Sequence, residues 1–463
     1  MFFDSHAHLD SPDFDADRAA VLQRARDAGL EHIIQVGYNR ETIERGMSLF
    51  ANEEWISFTV GIHPHDSNDF DDELLAYVEQ AAERARVVAI GECGLDFFRD
   101  YAPREKQIET FRQMIRLARR LRLPLIVHSR AAEEDTLRIL EEENAGDVGG
   151  VMHCYAYGVQ AAARLKKMGF YIGFTCFVSY PKRNQHDTIA ALKVEDMLIE
   201  TDCPWIPPQH SRGKRNETAF VVEVARSIAE VKGLSIEDVA RITTRNARKL
   251  FGLDLQESTV IAYPIRKSLY VNLTNRCTAD CWYCSRLTDP VVKGHNLKMH
   301  LKQEPSAQEV IASLQSIASG DLSISSFEEV VFCGYGEPTM RLAVLLEVAE
   351  WIHEQGLKVR VNTNGHSDLW NKRSTAAEFA GKVDELSISL NAENAALYAE
   401  IVRPAWGETT FAALLEFAKQ AGSYVPLVTF TIVDDGKVNI DACKQLADEQ
   451  GVPLRVRELN ETG

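Results

Sequence analysis

Two groups of residues in this chain have the types and spacing for chemistry. Cys277, Cys281 and Cys284 lie in CTADCWYC at the spacing C-x-x-x-C-x-x-C. Three thiolates can hold three irons of a [4Fe–4S] cluster and leave the fourth iron open to a small molecule. A structural zinc needs a fourth ligand, for which His295 or Cys333 is available by sequence. The second group is dispersed: His6 and His8, then Glu92, His128, His153 and Asp202. Four imidazoles and two carboxylates match a two-metal site for zinc, manganese or magnesium, with one carboxylate able to bridge. Paired metals acidify a water, orient a phosphoryl or carbonyl oxygen and stabilise the departing oxygen. His63 and His65, in GIHPHD, suit substrate orientation or the bracing of their own loop.

These residues are far apart in sequence, so the elements must gather them. Short apolar runs alternate with amphipathic stretches, the pattern of βα units and parallel sheets. The runs MFFDSHAH, HIIQVGY, ISFTVGIHP, VVAIGECGLD, LPLIVHS, GGVMHCY, FYIGFTC and MLIETDCPW make eight strands by about residue 205. Helical stretches include 104–122, 158–168, 217–232 and 235–250. Eight βα units in about 250 residues are the size of a (β/α)8 TIM-type barrel. His6 and His8 end the first run, His63 the third, Glu92 the fourth, His128 the fifth, His153 the sixth and Asp202 the eighth. In such a barrel the C-terminal strand ends form one face, where active sites sit. His6 and His8 are two apart on a strand and point the same way.

A second series follows: SLYVNLTN, EVVFCG, KVRVNTNG, ELSISLN, PLVTFTIVD and PLRVREL. Helices are expected near 305–319, 340–355, 409–421 and 439–450. Six βα units form a partial, open barrel, and the cysteines follow its first strand. The expected division is a hydrolase barrel over 1–253, a linker over 254–264 and a second α/β domain over 265–463.

Composition narrows the classes. The chain has 463 residues, 45% hydrophobic and 26% charged, an ordinary globular balance. Five aspartates in the first twenty residues argue against a signal peptide. No apolar run is long enough to span a membrane, and a cytoplasmic location is expected. Nine cysteines point to metal binding or free thiols rather than a disulfide framework. The net charge is −17, with −13 carried by residues 1–100, so no global basic field attracts nucleic acid. Any polyanion must use a local patch, and HSRGKRNE, 210–217, is the candidate.

DSHAHLD, GIHPHD, GECGLDF, IVHSR, MHCY, ETDCPW, RGKRNE and NARKLFGL resemble, in order over residues 1–253, the TatD family of metal-dependent hydrolases. The resemblance implies an amidohydrolase-like (β/α)8 barrel with two divalent metals and DNase activity in several members. It assigns one metal to His6, His8, Glu92 and Asp202, and a second to Glu92 as bridge with His128 and His153. Glu92 and Asp202 are the expected catalytic carboxylates, Asp202 as general base. Arg212, Lys214 and Arg215 are expected to face substrate phosphates, or to form a plain solvated loop. NETAF departs from the family's usual Asn-Glu-Pro-Ala-Tyr, with Thr218 in place of a proline that would stiffen the loop.

The cysteines, GYGEP at 334–338, NTNG and SISLN resemble the radical S-adenosylmethionine superfamily over about residues 264–463. That resemblance implies that the open iron chelates the amino and carboxylate groups of S-adenosyl-L-methionine, and that an external flavodoxin- or ferredoxin-like donor supplies the electron for its cleavage to a 5′-deoxyadenosyl radical. Gly334, Gly336 and Glu337 are expected at the methionyl group, Asn364 and Ser389 at the cofactor, and Tyr283 over the cluster and adenine. TNRCTADCWYC with KGHNL is more narrowly similar to the TatD-associated radical proteins. Only Cys443 lies beyond residue 333, so no auxiliary cluster is expected.

The leading expectation is a bifunctional chain: a dinuclear-metal hydrolase of DNA or another phosphodiester, followed by a radical S-adenosylmethionine enzyme. Two alternatives are hydrolysis of an ester or amide on a small molecule or modified nucleotide, and a metal-bound docking module for the radical domain. A docking module has no need of a water-activating carboxylate.

Overall fold

The computed structural model describes residues 1–99, 101–181, 185–254, 259–284, 290–299, 304–317, 324–434 and 436–458. Part of the expected linker, 255–258, and residues 459–463 lie outside the described residues. Two compact units are present, 1–256 and 257–463.

In the first unit the apolar runs become eight parallel strands: β1 (Phe2–Ala7), β2 (Leu30–Gly37), β3 (Ile56–Val60), β4 (Val87–Asp96), β5 (Leu125–Arg130), β6 (Gly150–Met152), β7 (Phe170–Phe174) and β8 (Met197–Ile199). They pair in sequence order. Strands buried on both faces read as continuous apolar runs, and β3 and β8 are wholly buried. A bridge between Ala7 and Cys203 brings the first strand to the last. There the Asp202 N–H donates to His6 O, and the His8 N–H to Cys203 O, both at 2.9 Å. The result is a near-closed barrel. Phe3, Ile34, Val88, Ile126, Val151 and Leu198 pack together with Ala247 and Phe251, so the interior is a filled core and leaves only the strand ends for chemistry.

The helix Arg104–Leu121 lays Phe111, Met114, Ile115 and Ala118 on the core, as the i, i+3, i+4 spacing of those residues predicts. The last helix, Ile236–Leu250, starts where Ser235 accepts the Asp238 N–H, an ordinary N-cap.

The second unit holds a seven-stranded sheet. Six strands are parallel, as expected: β10 (Ser268–Val271), β13 (Glu329–Phe332), β14 (Lys358–Thr363), β15 (Glu385–Ser389), β16 (Leu427–Asp434) and β17 (Leu454–Glu458). The seventh, β9 (Ala262–Ile265), pairs antiparallel with β10. Most of β9 falls in the stretch expected as linker. Its alternating apolar residues explain the difference: Tyr263 and Ile265 bury against Tyr270, Leu297 and Val331, and an edge strand tolerates Pro264. A minimal hairpin, β11 (Val291–Val292) and β12 (His295–Asn296), stands apart from the sheet. No helix among the described residues is long and apolar enough to cross a membrane.

Candidate functional sites

The C-terminal strand ends of the first barrel converge on Glu92. The β4–β5 pairing has an irregularity between Ile90 and Cys93. Gly91 and Gly94 flank it at φ 147° and 142°, and a Cβ at Gly91 would lie 2.5 Å from Ile126 O. Only glycine allows that approach, and it frees Glu92 from the regular alternation of the strand. The two Glu92 oxygens face opposite ways. Oε2 lies 3.4 Å from His6 Nε2 and 3.8 Å from His8 Nε2. Oε1 lies 2.9 Å from His128 Nδ1, 3.8 Å from His63 Nε2 and 3.9 Å from His153 Nε2.

Asp202 Oδ1 closes the other side, 3.4 Å from His8 Nε2 and 3.8 Å from both His6 Nε2 and His153 Nε2. The His6 and His8 Nε2 atoms are 3.1 Å apart. With metal–nitrogen bonds near 2.0–2.1 Å, the edges of a tetrahedral site are about 3.3 Å. The five spacings among His6, His8, Glu92 and Asp202, 3.1–3.8 Å, therefore suit donors around one ion. The buried Nδ1 atoms of His6 and His8 have no hydrogen-bond partner. The residues present fit a divalent metal.

Among the described residues three donor groups are close enough to hold an ion: His6–His8–Glu92, His6–His153–Asp202 and His63–Glu92–His128. The resemblance pairs His153 with Glu92 and His128; the geometry sets it nearer His6, whose ring it stacks on at 3.5 Å. His63 instead sits with Glu92 and His128. Its Nδ1 accepts the His65 N–H at 3.1 Å, so the neutral ring carries its proton on Nε2. Held that way, the nitrogen facing Glu92 is a donor rather than a ligand. His65 Nε2 lies 2.9 Å from Asp96 Oδ2, which also stands 3.5 Å from His128 Nε2.

Burial opposes the Glu92 charge, but His6, His128 and His63 outweigh it and hold the carboxyl well below its usual range. Burial likewise opposes Asp202, which His153 and His8 hold ionised. Burial lowers His153, yet Glu200 and Asp202 together push it up to about 10. Sequence reasoning passes over Glu200, although it stands two residues before Asp202 in ETDCPW. It is fully buried, with Oε1 2.9 Å from His153 Nδ1, a close ion pair not aligned as a hydrogen bond. Asp96 is missed too; its signal is its place at the end of β4. Cys154, Asp202 and Ile206 all have left-handed backbone, φ 45–55°, a conformation that costs energy and gathers at functional sites.

The cavity above the cluster has a volume of about 620 Å³. Tyr38, Trp205, Arg99 and Arg130 line it, while Arg212, Lys214 and Arg215 do not. Arg212 and Lys214 are exposed. Arg215 is engaged outside the cavity: it bonds Asp17 through two nitrogens at 2.7 Å and lies over the Phe14 ring. Thr218 donates to buried Asp4 at 2.6 Å, so a hydrogen bond to β1 ties the loop where the family has its proline.

In the second unit the cysteine loop follows β10 and is held by residues 401–405. The Asp280 N–H donates to Val402 O at 3.0 Å, and the Ala405 N–H to Thr278 O at 2.9 Å. Burial, and next the charges of Cys277 and Cys284, push the Cys281 thiol up to about 12. A thiol whose ionisation its two neighbours oppose suits cationic iron, which removes that penalty. Asn364, after β14, brings Nδ2 within 3.7 Å of Cys277 Sγ and 2.8 Å of Thr278 Oγ1.

Glu337 is placed otherwise than expected. Both its oxygens are used inside the fold: Oε1 accepts from Thr339 N–H, Thr339 Oγ1 and Thr363 Oγ1, and Oε2 from Asn364 N–H, at 2.6–3.0 Å. It braces the turn that carries Asn364. A Cβ at Gly334 would collide with Asn272, and one at Gly336 with the carbonyls of Thr274 and Arg276. Those glycines serve close chain packing on that side. Ser389 ends β15 half-buried, and Tyr283 packs on the domain core.

Comparison with known proteins agrees with both halves. Residues 3–252 match the TatD related DNase family, and residues 271–449 the Radical SAM superfamily. The uncharacterized metal-dependent hydrolase YabD of Bacillus subtilis is 41% identical over 255 residues, 55% of this chain and 100% of that protein. The 3′-5′ ssDNA/RNA exonuclease TatD of Erwinia amylovora is 34% identical over 260 residues, 54% of this chain and 100% of its own. The crystal structure of the TatD homologue YjjV from Escherichia coli superposes with a TM-score of 0.52 at 32% identity, covering 55% of this chain and 98% of that one. The chain is an enzyme that belongs to the TatD related DNase family of metal-dependent hydrolases, with a Radical SAM domain fused after it.

Proposed function

We propose that the first barrel cleaves phosphodiesters of single-stranded nucleic acid at a dinuclear centre, and that the second unit cleaves S-adenosyl-L-methionine reductively at a [4Fe–4S] cluster. The observation that carries the first part is Glu92, with one oxygen toward His6 and His8 and the other toward His128. His6, His8, Glu92 and Asp202 would hold one divalent ion; Glu92, His128 and His153 a second. When bound, the pair supplies Lewis acidity and an acidified water.

The chain's own residues complete the reaction. The Asp202 side chain is 14% exposed, against 5% for Glu92 and 0% for His6. Of these it is the one that water can reach, and it takes the proton from the attacking water. His63 Nε2–H donates to a phosphate oxygen and orients it. Glu200 holds His153 from behind. Support for nucleic acid as substrate comes from the exonuclease name of the Erwinia relative and from Arg99 and Arg130, which line the cavity.

In the second unit, Cys277, Cys281 and Cys284 would hold the cluster, which supplies the electron and an open iron for the methionyl group. Asn364 orients the cysteine loop, and Glu337 fixes Asn364. The test is one panel on the full chain: single-stranded and duplex oligonucleotides, a small diester and phosphorylated nucleosides, each with the native protein and Asp202→Asn. Loss of single-strand cleavage in the variant supports the reading; equal turnover by both proteins overturns it. Formation of 5′-deoxyadenosine with dithionite, absent in Cys277→Ala, tests the second half.

A further inference from the structure

Among the described residues of the first unit, the large exposed hydrophobic side chains are Met1, Leu49, Phe98, Tyr101, Val159 and Trp205. Of the three aromatic rings in that set, Tyr101 and Trp205 line the metal cavity, and Phe98 lies beside it against Arg130, which also lines it. Phe98 is 63% exposed, Tyr101 56% and Trp205 49%. Single exposed apolar residues need no explanation, but a group around a cavity marks a binding surface.

The mouth is fixed to the metal-binding groups beneath it. Trp205 packs on the His8 ring at 4.9 Å, and Tyr101 on the His65 ring at 4.7 Å. Asp96 Oδ1 accepts the N–H groups of Phe98 and Arg99 at 2.9 and 3.0 Å, while its Oδ2 faces His65 and His128. Asp96 thus ties Phe98 and Arg99 to the histidines of the centre. Arg130 follows His128 by two residues on β5, about 7 Å along the strand, and lies 4.0 Å over the Phe98 ring. Arg99 donates to Tyr101 Oη at 3.1 Å. Among the described residues neither arginine has a carboxylate partner, unlike Arg215, which Asp17 neutralises. Two such guanidinium groups above a carboxylate-lined cavity suit phosphates that approach it.

We infer that Phe98, Tyr101 and Trp205, with Arg99 and Arg130, form the seat for the nucleotides of a single strand next to the cleaved bond. This rests on the phosphodiesterase reading above and assigns substrate contact to Phe98, Arg99 and Tyr101, ahead of the helix Arg104–Leu121, rather than to residues 212–215. Unstacked bases offer their faces to aromatic rings, and guanidinium groups take the phosphates between them. A duplex keeps those faces stacked inside and cannot use the seat.

The test uses the full, zinc-loaded chain and two probes. Binding of a fluorescein-labelled phosphorothioate oligothymidylate is followed by anisotropy across salt; hydrolysis is followed on the normal oligonucleotide and on bis(p-nitrophenyl) phosphate. Phe98→Ala is expected to weaken strand binding roughly ten-fold. Arg99→Ala with Arg130→Ala is expected to flatten the salt dependence by a log–log slope of about 1.4. In each variant the loss on the oligonucleotide exceeds that on the small diester by about ten-fold, with bound zinc unchanged. Native affinity and salt slope in these variants overturn the seat, as does an equal loss on both substrates. If native protein cleaves oligonucleotides and the variants do so equally well, the seat fails and the phosphodiesterase reading stands. If the strand binds through the seat but no diester is hydrolysed, that reading fails and the seat stands.

Discussion

Replacing Glu200 by glutamine isolates the charge behind His153. Glu200 Oε1 is 2.9 Å from His153 Nδ1 and accepts the Cys154 N–H at 2.6 Å, and Oε2 lies 3.4 Å from Ser5 Oγ. A glutamine of the same shape keeps its carbonyl oxygen on Cys154 and turns its amide toward Ser5, whose hydroxyl can accept. Shape and hydrogen bonds persist, and one buried negative charge is lost. Gly173 leaves the room, since a Cβ there would lie 2.8 Å from both carboxylate oxygens. Carboxylates behind metal-binding imidazoles contribute about 10–100-fold to metal affinity, or about 1.4–2.7 kcal/mol. Glu200→Gln should therefore bind zinc about 10–100-fold more weakly, measured by competition with a chromophoric chelator, at nearly native thermal stability. Glu200→Ala should also lose about 1–3 kcal/mol of stability, because the Cys154 N–H is left buried without an acceptor. Native zinc affinity in a folded Glu200→Gln protein would refute the reasoning.

Three further outcomes follow from the two sites. Glu92→Ala should lower occupancy at both metal positions and His128→Ala mainly at one; elemental analysis showing full occupancy in the Glu92 variant rules out the bridge. Cys277→Ala should abolish iron–sulfur absorption and 5′-deoxyadenosine formation while metal-dependent hydrolysis continues, and His6→Ala should do the reverse; if folded, metal-loaded Cys277→Ala loses hydrolysis, the sites are not independent. His366 is buried between Thr278 and Tyr398, at 2.8 and 2.7 Å, and burial lowers it to about 4. Its neutral form is favoured by folding, so the stability it contributes is present above pH 6.5 and lost as pH falls toward 4, by about 3 kcal/mol. Urea unfolding of the second unit should show that extra acid sensitivity relative to His366→Gln, and parallel curves would sink the assignment.

Much of the architecture is legible in the order of residues alone. The alternation of apolar runs and amphipathic stretches marks eight strands and then six, because burial on both sheet faces demands continuous apolar residues. The metal-type residues fall on or just after five of the eight strands, two of them at the first, so the barrel topology alone is enough to bring them together. Where the chain is misjudged, local pattern is insufficient. Residues 262–264 look like linker, yet they cover the edge of the second sheet, a contact visible only once β10 is in place. Arg215 looks like a phosphate ligand because it stands among other basic residues, and its partner Asp17 is nearly two hundred positions away.

The sequence by itself determined which residues can bind metal or iron and which strands carry them, since residue type sets ligand chemistry and periodicity sets the element. Tertiary structure decided what each polar group faces. It turned the two oxygens of Glu92 to opposite sides, consumed the Glu337 carboxylate within the fold, set the His63 proton on the nitrogen facing Glu92, and put Glu200 behind His153. Those orientations depend on distances between strands far apart in the chain, and ångström-scale proximity between distant residues is a property of packing that no local spacing encodes.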